Sequence, residues 1–151
     1  TRKESSAASD VYKRQPLAAP LMVEAATAIG RTQEVHALLQ AHYAQAPSLD
    51  VLESIVAMEA ADEATRPSAR QRYVEHLDKE RSLVAAAKWL ATEKLEHEEF
   101  HPQVQRALDH AVKPLTRYRC AACGFEARQH FWQCPGCQTW DSYPARRVEE
   151  L

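Results

Sequence analysis

Apolar residues in the long middle part of the chain recur at helical spacing, and polar residues fill the positions between them. An i, i+3, i+4, i+7 pattern places apolar side chains on one face of a helix, which must then pack on a neighbour. Five segments follow this pattern: Val35, Leu38, Leu39 and Ala46; Leu52, Ile55, Val56 and polar Glu59; Tyr73, Val74 and Leu77; Leu83, Ala87, Leu90 and Ala91; Val104, Ala107, Leu108, Ala111 and Val112. We therefore predict helices throughout residues 16–112.

Residues that interrupt helices recur at a regular interval. Turns inside helix pairs are predicted at Gly30, 64–67 and 100–102, and breaks between pairs at Pro47, 81–82 and Pro114. Both series step by about 34 residues, the period of a tetratricopeptide helix pair. We predict a mainly α fold, with about three pairs forming a tetratricopeptide-like helical-hairpin solenoid over residues 16–115. A plain helical bundle is the alternative, because most consensus residues of that repeat are missing.

All four cysteines lie in one stretch near the C-terminus, YRCAACGFEARQHFWQCPGCQTWDSYP. They form two Cys-x-x-Cys pairs, Cys120 with Cys123 and Cys134 with Cys137. Two such turns direct four thiolates to one ion with tetrahedral geometry. Gly124 and Gly136 occupy positions where the missing Cβ lets backbone N–H groups face the sulfur atoms. We predict a four-thiolate metal site, in preference to disulfides, a thioredoxin-like redox pair or unpaired thiols.

Residues 116–151 are predicted to form a small β-rich, rubredoxin-like or zinc-ribbon module. A module of this size buries too little surface to fold alone, so metal binding must supply the missing free energy. Its aromatic side chains are expected to pack around the metal and against the last helix: Tyr118, Phe125, Phe131, Trp132, Trp140 and Tyr143. Tetrahedral four-sulfur geometry suits both iron and zinc, so the spacing leaves the metal open.

Charge argues against general binding to nucleic acid or to anionic membranes. The 151 residues contain 19 basic and 21 acidic side chains, and phosphate binding depends on an excess of cations. The module is close to neutral once four thiolates and a divalent ion are included. A nucleic-acid-binding zinc ribbon therefore stays a minor alternative. No apolar run reaches the ~20 residues needed to span a bilayer.

One further motif resembles a catalytic metal site. His97, Glu98 and His101 match the H-E-x-x-H pattern, in which both histidines share one helix face. Pro102 disfavours helical geometry at the residue before it, so His101 is expected to end one helix or cap the next. His130 lies between the cysteine pairs, but four thiolates already complete a tetrahedral sphere. We find no catalytic constellation and predict that the chain is not an enzyme.

The C-terminal motifs resemble a known family. YRCAACGF, the later FWQCPGC and the TWDSYP that follows are similar to the C-terminal rubredoxin-type module of the lipopolysaccharide assembly protein B family. That family joins a tetratricopeptide array to this module in the same order. The resemblance is highly specific over residues 118–144, and over residues 16–114 it concerns architecture and general pattern. Through the cysteine motif it implies metal ligation by Cys120, Cys123, Cys134 and Cys137.

The resemblance also implies a function. The family is a regulatory scaffold of lipopolysaccharide (lipid A) biosynthesis at the cytoplasmic face of the bacterial inner membrane. Its implied partners are lipopolysaccharide-synthesis enzymes and a membrane AAA protease. The family is implied to help this protease degrade the deacetylase that commits precursors to lipid A. No nucleic-acid partner is implied. Iron is the implied metal, and zinc is the alternative because structural zinc sites are abundant. A rubredoxin-like electron-transfer protein remains a second alternative.

The N-terminal end carries no fold prediction. Residues 5–15, SSAASDVYKRQ, resemble the translation of a sequencing adaptor, so we treat residues 1–15 as an adaptor-like artefact or a disordered tail. The family's N-terminal membrane anchor has no counterpart in this sequence. We therefore expect a C-terminal fragment of a longer protein that is, on its own, soluble and cytoplasmic.

Overall fold

The computed structural model describes residues 15–93 and 98–151. Within them lie six α-helices: α1 (Ala19–Ile29), α2 (Thr32–Gln45), α3 (Leu49–Ala61), α4 (Arg66–Leu77), α5 (Leu83–Thr92) and α6 (His101–Val112). A two-stranded sheet follows, formed by β1 (Tyr118–Arg119) and β2 (Glu126–Ala127). Short 3-10 turns cover Gln15–Ala18, Glu98–Phe100 and Val148–Glu150. The predicted mainly α fold with a small C-terminal sheet is confirmed. The predicted N-terminal tail, apart from Gln15, lies outside the described residues.

The helix ends fall where the sequence places its helix-breaking residues. Gly30 follows α1 in the left-handed region, with φ of 71°, and its N–H bonds the carbonyl of Ala26. Such a left-handed residue is a common helix C-cap, and glycine adopts it without strain. Ser48 and Ser82 cap α3 and α5, since each side chain accepts a hydrogen bond from a backbone N–H in the first turn. The chain therefore breaks at the predicted turns.

The helices form three successive hairpins. Each helix packs against the next one along the chain, and α1 also packs against α3. The second helices of the three pairs begin at Thr32, Arg66 and His101, which are 34 and 35 residues apart. This interval agrees with the predicted period. The assignment to the tetratricopeptide class remains a prediction.

Two core clusters meet on α3. One contains Leu49, Leu52, Tyr73, Val84 and Ala85, and the other contains Ala19, Leu39, Val51 and Ile55. Helix α3 contributes to both clusters because seven of its side chains are buried. It is therefore the central helix of the array, in contact with α1, α2 and α4.

The predicted apolar stripes are not equally buried. Leu38 is 54% exposed although it lies on the predicted stripe of α2. Helix α6 follows the helical spacing most completely, yet it contains no fully buried side chain. Its one extensive helix contact among the described residues is with α5. Periodicity identifies which face is apolar, while burial depends on the number of neighbours on that face. No helix of the described part has the length and apolar composition needed to span a membrane.

Candidate metal centre

The first cysteine pair lies in the loop of a β-hairpin. Strands β1 and β2 are antiparallel, with Arg119 opposite Glu126, and the two side chains form an ion pair of 2.7 Å. The Cys120 N–H donates to the Phe125 carbonyl at 2.9 Å, which extends the hairpin by one further hydrogen bond. The Gly124 N–H donates to the Cys120 carbonyl at 2.9 Å and closes the turn. The strand pairing therefore directs Cys120 and the turn that follows it.

The second cysteine pair repeats this backbone arrangement. Gln133 and Trp140 form an antiparallel bridge. The Cys134 N–H donates to the Thr139 carbonyl at 2.9 Å, and the Gln138 N–H donates to the Cys134 carbonyl at 2.8 Å. These are the same two bonds, at the same sequence offsets, as in the first pair. Each pair thus forms a compact turn, here called a knuckle (residues 120–124 and 134–138).

The two glycines of the knuckles have different roles. Gly124 has φ of 77°, and the equivalent residue of the second knuckle is Gln138, with φ of 59°. Gly136 is not among the residues with positive φ; a Cβ there would lie 3.3 Å from the Cβ of Phe125. The Gly136 N–H donates to Cys134 Sγ at 3.4 Å, as predicted, whereas the Gly124 N–H donates to the Cys120 carbonyl. Gly136 therefore provides space for an aromatic ring, and Gly124 permits a left-handed turn.

The four sulfur atoms converge between the knuckles. All of them lie within 4.8 Å of one another. Cys120 Sγ is 3.8 Å from Cys137 Sγ, and Cys123 Sγ is 3.7 Å from Cys134 Sγ. A tetrahedral ion with metal–sulfur bonds of about 2.3 Å has sulfur–sulfur edges of about 3.8 Å. The four cysteines are therefore positioned to bind one metal ion.

The electrostatics of the cluster also favour a cation. Contact with the Ser142 hydroxyl, 3.2 Å away, lowers the pKa of Cys120 to about 6, and the Thr139 hydroxyl lowers the pKa of Cys137. A backbone hydrogen bond at Phe125 acts to lower the pKa of Cys123, but burial and the neighbouring thiols outweigh it and raise that pKa to about 12. Four neighbouring thiolates repel one another, and a divalent cation removes this cost.

The segment after the second knuckle joins the two halves of the site. The Ala121 N–H donates to the Ser142 carbonyl at 2.7 Å. The Tyr143 hydroxyl donates to the Phe125 carbonyl at 3.1 Å. These contacts were not predicted from the sequence. The hydroxyl residues that directly follow the second knuckle are the feature that could have indicated them. Hydrogen bonds around metal ligands orient the ligands and tune the site.

The aromatic residues of the module divide into two groups. Tyr118 and Tyr143 are buried with Cys120 and Cys134, and Phe131 packs on this cluster. The other three aromatic side chains are each 43% to 67% exposed: Phe125, Trp132 and Trp140. The buried aromatic side chains are therefore those that pack with Cys120 and Cys134.

The histidines that the sequence suggested as possible metal ligands either bond backbone carbonyls or lie outside the described residues. His130 Nε2 bonds the carbonyl of Tyr143 at 3.1 Å, and its ring contacts neighbouring aromatic rings. His101 is the first residue of α6 and bonds the carbonyl of Leu90 at 3.2 Å. The helix therefore begins one residue earlier than predicted, because Phe100 and not His101 is the cap, and Pro102 is the second helical residue. His97 and the side chain of Glu98 lie outside the described residues, so the H-E-x-x-H motif stays untested.

The module also contacts the helices at positions that differ from the prediction. The aromatic side chains of the module were expected to pack against the last helix. The Tyr118 hydroxyl instead donates to Asp50 of α3 at 2.7 Å, and Arg147 bonds Asp50 and Glu53 of α3. Glu149 bonds backbone N–H groups of α5. The docking surface therefore spans the second and third helix pairs, and no sequence pattern indicated it.

Comparison with known proteins identifies the module. Residues 118–143 match the family described as rubredoxin metal binding domain. The chain is 42% identical over 41 residues to lipopolysaccharide assembly protein B of Escherichia coli (strain K12), which is 26% of this chain and 10% of that protein. It is 39% identical over 31 residues to the protein of the same name from Haemophilus influenzae, which is 20% of this chain and 8% of that protein. These matches cover a tenth or less of each relative.

Proposed function

Because residues 118–143 belong to the rubredoxin-type metal-binding family of lipopolysaccharide assembly protein B, we propose that this chain is part of a non-catalytic adaptor with one structural metal ion. The ligands in this proposal are Cys120, Cys123, Cys134 and Cys137. The observation that supports it most directly is the pair of sulfur–sulfur distances, 3.7 and 3.8 Å, between the knuckles. When bound, the ion supplies charge neutralisation and a fixed geometry for the four thiolates.

The proposed process is the regulation of lipopolysaccharide biosynthesis. The name of the relatives supports a role in lipopolysaccharide assembly. We propose protein partners, namely a membrane AAA protease and the deacetylase that commits precursors to lipid A, at the cytoplasmic face of the inner membrane. Helical-hairpin arrays bind partners through an extended surface and need no catalytic residues. This whole-protein role is proposed for the longer protein to which such a module belongs.

The proposal divides the chain into units with different tasks. Residues 16–115 would present the partner surface as tetratricopeptide-like repeats, and residues 116–151 would form the metal module. Residues 1–15 have no proposed task. Arg147 supports a structural role for the module, because it joins the last residues of the chain to α3 by an ion pair of 2.7 Å with Asp50. The metal would then stabilise the module that packs against the array.

A partner-capture experiment tests the adaptor proposal. The immobilised chain is incubated with a bacterial envelope extract, and retained proteins are identified by mass spectrometry. The proposal expects retention of an AAA protease or of the deacetylase, with weaker retention by Cys134→Ser. Equal retention by both forms would contradict a role for the metal module, and retention of neither protein would contradict the proposed process.

Electron transfer is the second candidate, and one observation favours it. Cys123 and Cys137 are exposed, whereas Cys120 and Cys134 are buried, so one side of the sulfur cluster faces solvent. An iron ion there is able to exchange one electron with a partner. A reversible one-electron couple in the iron-loaded chain, with turnover by a reductase, would support this candidate. A zinc-loaded, redox-silent protein as isolated would favour the structural role.

A further inference from the structure

The last residues of the chain run back along the segment that connects the helices to the module. The Val148 N–H donates to the Arg117 carbonyl at 2.7 Å, and the Glu149 N–H donates to the Leu115 carbonyl at 3.3 Å. These bonds fix residues 147–150, here called the clasp, beside the start of β1. The clasp follows Ser142 and Tyr143, which contact the first knuckle at Ala121 and the second knuckle at Cys134. Its position therefore depends on the folded module.

The side chain of Glu149 lies at the N-terminus of α5. Its carboxylate accepts hydrogen bonds from the Ser82 hydroxyl at 2.8 Å and from the Val84 N–H at 3.1 Å, and also from the Leu83 N–H. The first N–H groups of a helix have no partner inside the helix, and a carboxylate there also interacts favourably with the helix dipole. Glu149 therefore caps α5 from 65 residues away in the sequence.

The side chain of Glu150 has the same relation to α3. One carboxylate oxygen accepts from the Leu49 N–H at 2.9 Å, and the other accepts from the Arg147 N–H at 2.9 Å. Ser48 caps the same helix through the Val51 N–H. Two adjacent carboxylates of the clasp thus cap the first helices of two successive hairpins.

Arg147 completes the connection between the clasp and α3. Its guanidinium bonds Asp50 at 2.7 Å and Glu53 at 2.8 Å. The other carboxylate oxygen of Asp50 accepts from the Tyr118 hydroxyl. The Arg147 and Asp50 side chains are only 13% and 7% exposed, so neither is well solvated if the other moves away. Tyr118 is two residues before the first cysteine, so this cluster links a knuckle directly to the array.

We propose that residues 147–150 are a metal-dependent clasp, which caps α3 and α5 when the module holds its ion and releases both helix N-termini when the ion is lost. This inference rests on the proposed metal binding. A module of this size does not keep its fold without metal, and an unfolded module no longer fixes the clasp. Because α3 takes part in both core clusters, its loosened first turn changes the partner surface. Metal occupancy would thereby regulate partner binding.

Hydrogen exchange on the full chain tests the clasp. Exchange is followed by mass spectrometry in peptides covering residues 48–52 and 82–86, with and without a chelator, while bound metal is quantified in parallel. Removal of the metal is expected to accelerate exchange there by about tenfold, equivalent to the loss of a strong helix cap. Residues 33–45 of α2, which the clasp does not contact in the described structure, provide the internal reference.

Carboxamide variants of the metal-loaded chain separate the clasp from the metal site. Glu149→Gln is expected to accelerate exchange in residues 83–85, and Glu150→Gln in residues 49–51, with metal content unchanged. Glu34→Gln is the matched control, because Glu34 lies in the first turn of α2 and pairs with Arg31 rather than with the clasp.

The outcomes distinguish the clasp from the proposed function. If the chain binds one ion but removal of the ion leaves hydrogen exchange at both helix N-termini unchanged, the clasp proposal is wrong and the proposed metal binding is retained. Equal acceleration in α2 would also overturn a local clasp, because it reports global unfolding. A chain that binds no metal contradicts the proposed function itself.

Discussion

Glu59 illustrates how a single buried charge is accommodated in this array. Its side chain is 2% exposed and receives hydrogen bonds from Arg72, the shortest of 2.8 Å, and a contact of 3.0 Å from His36 Nε2. Burial acts to raise the pKa of Glu59, but the hydrogen bonds from Arg72 and His36 outweigh it and lower the pKa. Helices α2, α3 and α4 are thus joined through one carboxylate. The sequence pattern marked this position as the polar member of an apolar stripe, without indicating its partners.

Removing this charge should destabilise the protein. Glu59→Gln leaves the Arg72 guanidinium without its main partner, and we expect the free energy of unfolding to fall by about 2 kcal/mol, below the usual value for a buried pair because Arg72 is partly exposed. Urea unfolding measures the change. Glu75→Gln is the control, because Glu75 contacts Arg72 at 3.5 Å on the exposed side. An equal loss in both variants would contradict the role of burial.

His76 predicts a pH dependence of stability. Burial lowers the pKa of His76 from 6.5, outweighing the carboxylates of Glu80 and Glu149, and its Nδ1 lies 2.6 Å from the Tyr43 hydroxyl. As the pH falls, the unfolded chain takes up a proton at His76 before the folded chain does. The stabilisation that neutral His76 contributes is therefore complete above pH 6.5, and it is lost as the pH falls through the lowered pKa of His76 in the folded chain. Because a single proton is involved, the free energy of unfolding changes by at most about 1.4 kcal/mol per pH unit.

Comparison of two proteins isolates this effect. Between pH 7.5 and 6.0, with metal content monitored, wild type should lose more unfolding free energy than His76→Gln. Other titrating groups, including His42, are common to both forms. Identical pH profiles would show that His76 titrates with an ordinary pKa.

At the scale of helices and turns, the positions of breaks were predictable and the choice of buried face was not. Gly30, Pro67 and Pro102 mark helix ends because each restricts or permits particular backbone angles, and this restriction is local. Burial of Leu38 or of the α6 stripe depends on which helix packs there, which local sequence does not encode. The predicted helix boundaries were therefore more accurate than the predicted contacts.

The turn between α1 and α2 offers a test at this scale. Gly30→Ala should lower the free energy of unfolding by about 1 kcal/mol through backbone strain alone, because a Cβ there meets no atom within 4 Å. Gly30→Asn should lower the free energy of unfolding by less than Gly30→Ala does, since asparagine tolerates the left-handed region. Thermal or urea unfolding of both variants measures the difference. Equal stability of wild type and Gly30→Ala would contradict a left-handed cap.

At the scale of the whole molecule, the cysteine cluster was predictable and the attachment of the module to the array was not. Four cysteines at fixed spacing sufficed to predict that the sulfur atoms converge, because each knuckle is a local turn. The contacts of Arg147 and Glu150 with α3 join residues about a hundred positions apart. In the sequence, residues 146–151 have the composition of a solvated charged tail. No local pattern distinguishes such a tail from one that caps two helices.

Arg147 provides a test of this long-range attachment. Arg147→Met should lower the free energy of unfolding by about 3 kcal/mol, because Asp50 is left buried without its cation. Arg146→Met, which changes the adjacent exposed side chain, should stay within about 0.5 kcal/mol of wild type. Urea unfolding with parallel metal analysis makes the comparison. Similar losses in both variants would contradict the specific pairing with α3.

Metal analysis of the purified chain tests the central claim most directly. The chain is isolated and also reconstituted with zinc or iron(II), and its metal content and thiol reactivity are measured together. We expect one ion per chain and four thiols that react only after a chelator is added, because the four sulfur atoms share one site. A metal-free chain whose four thiols react independently, even after reconstitution, would contradict the account.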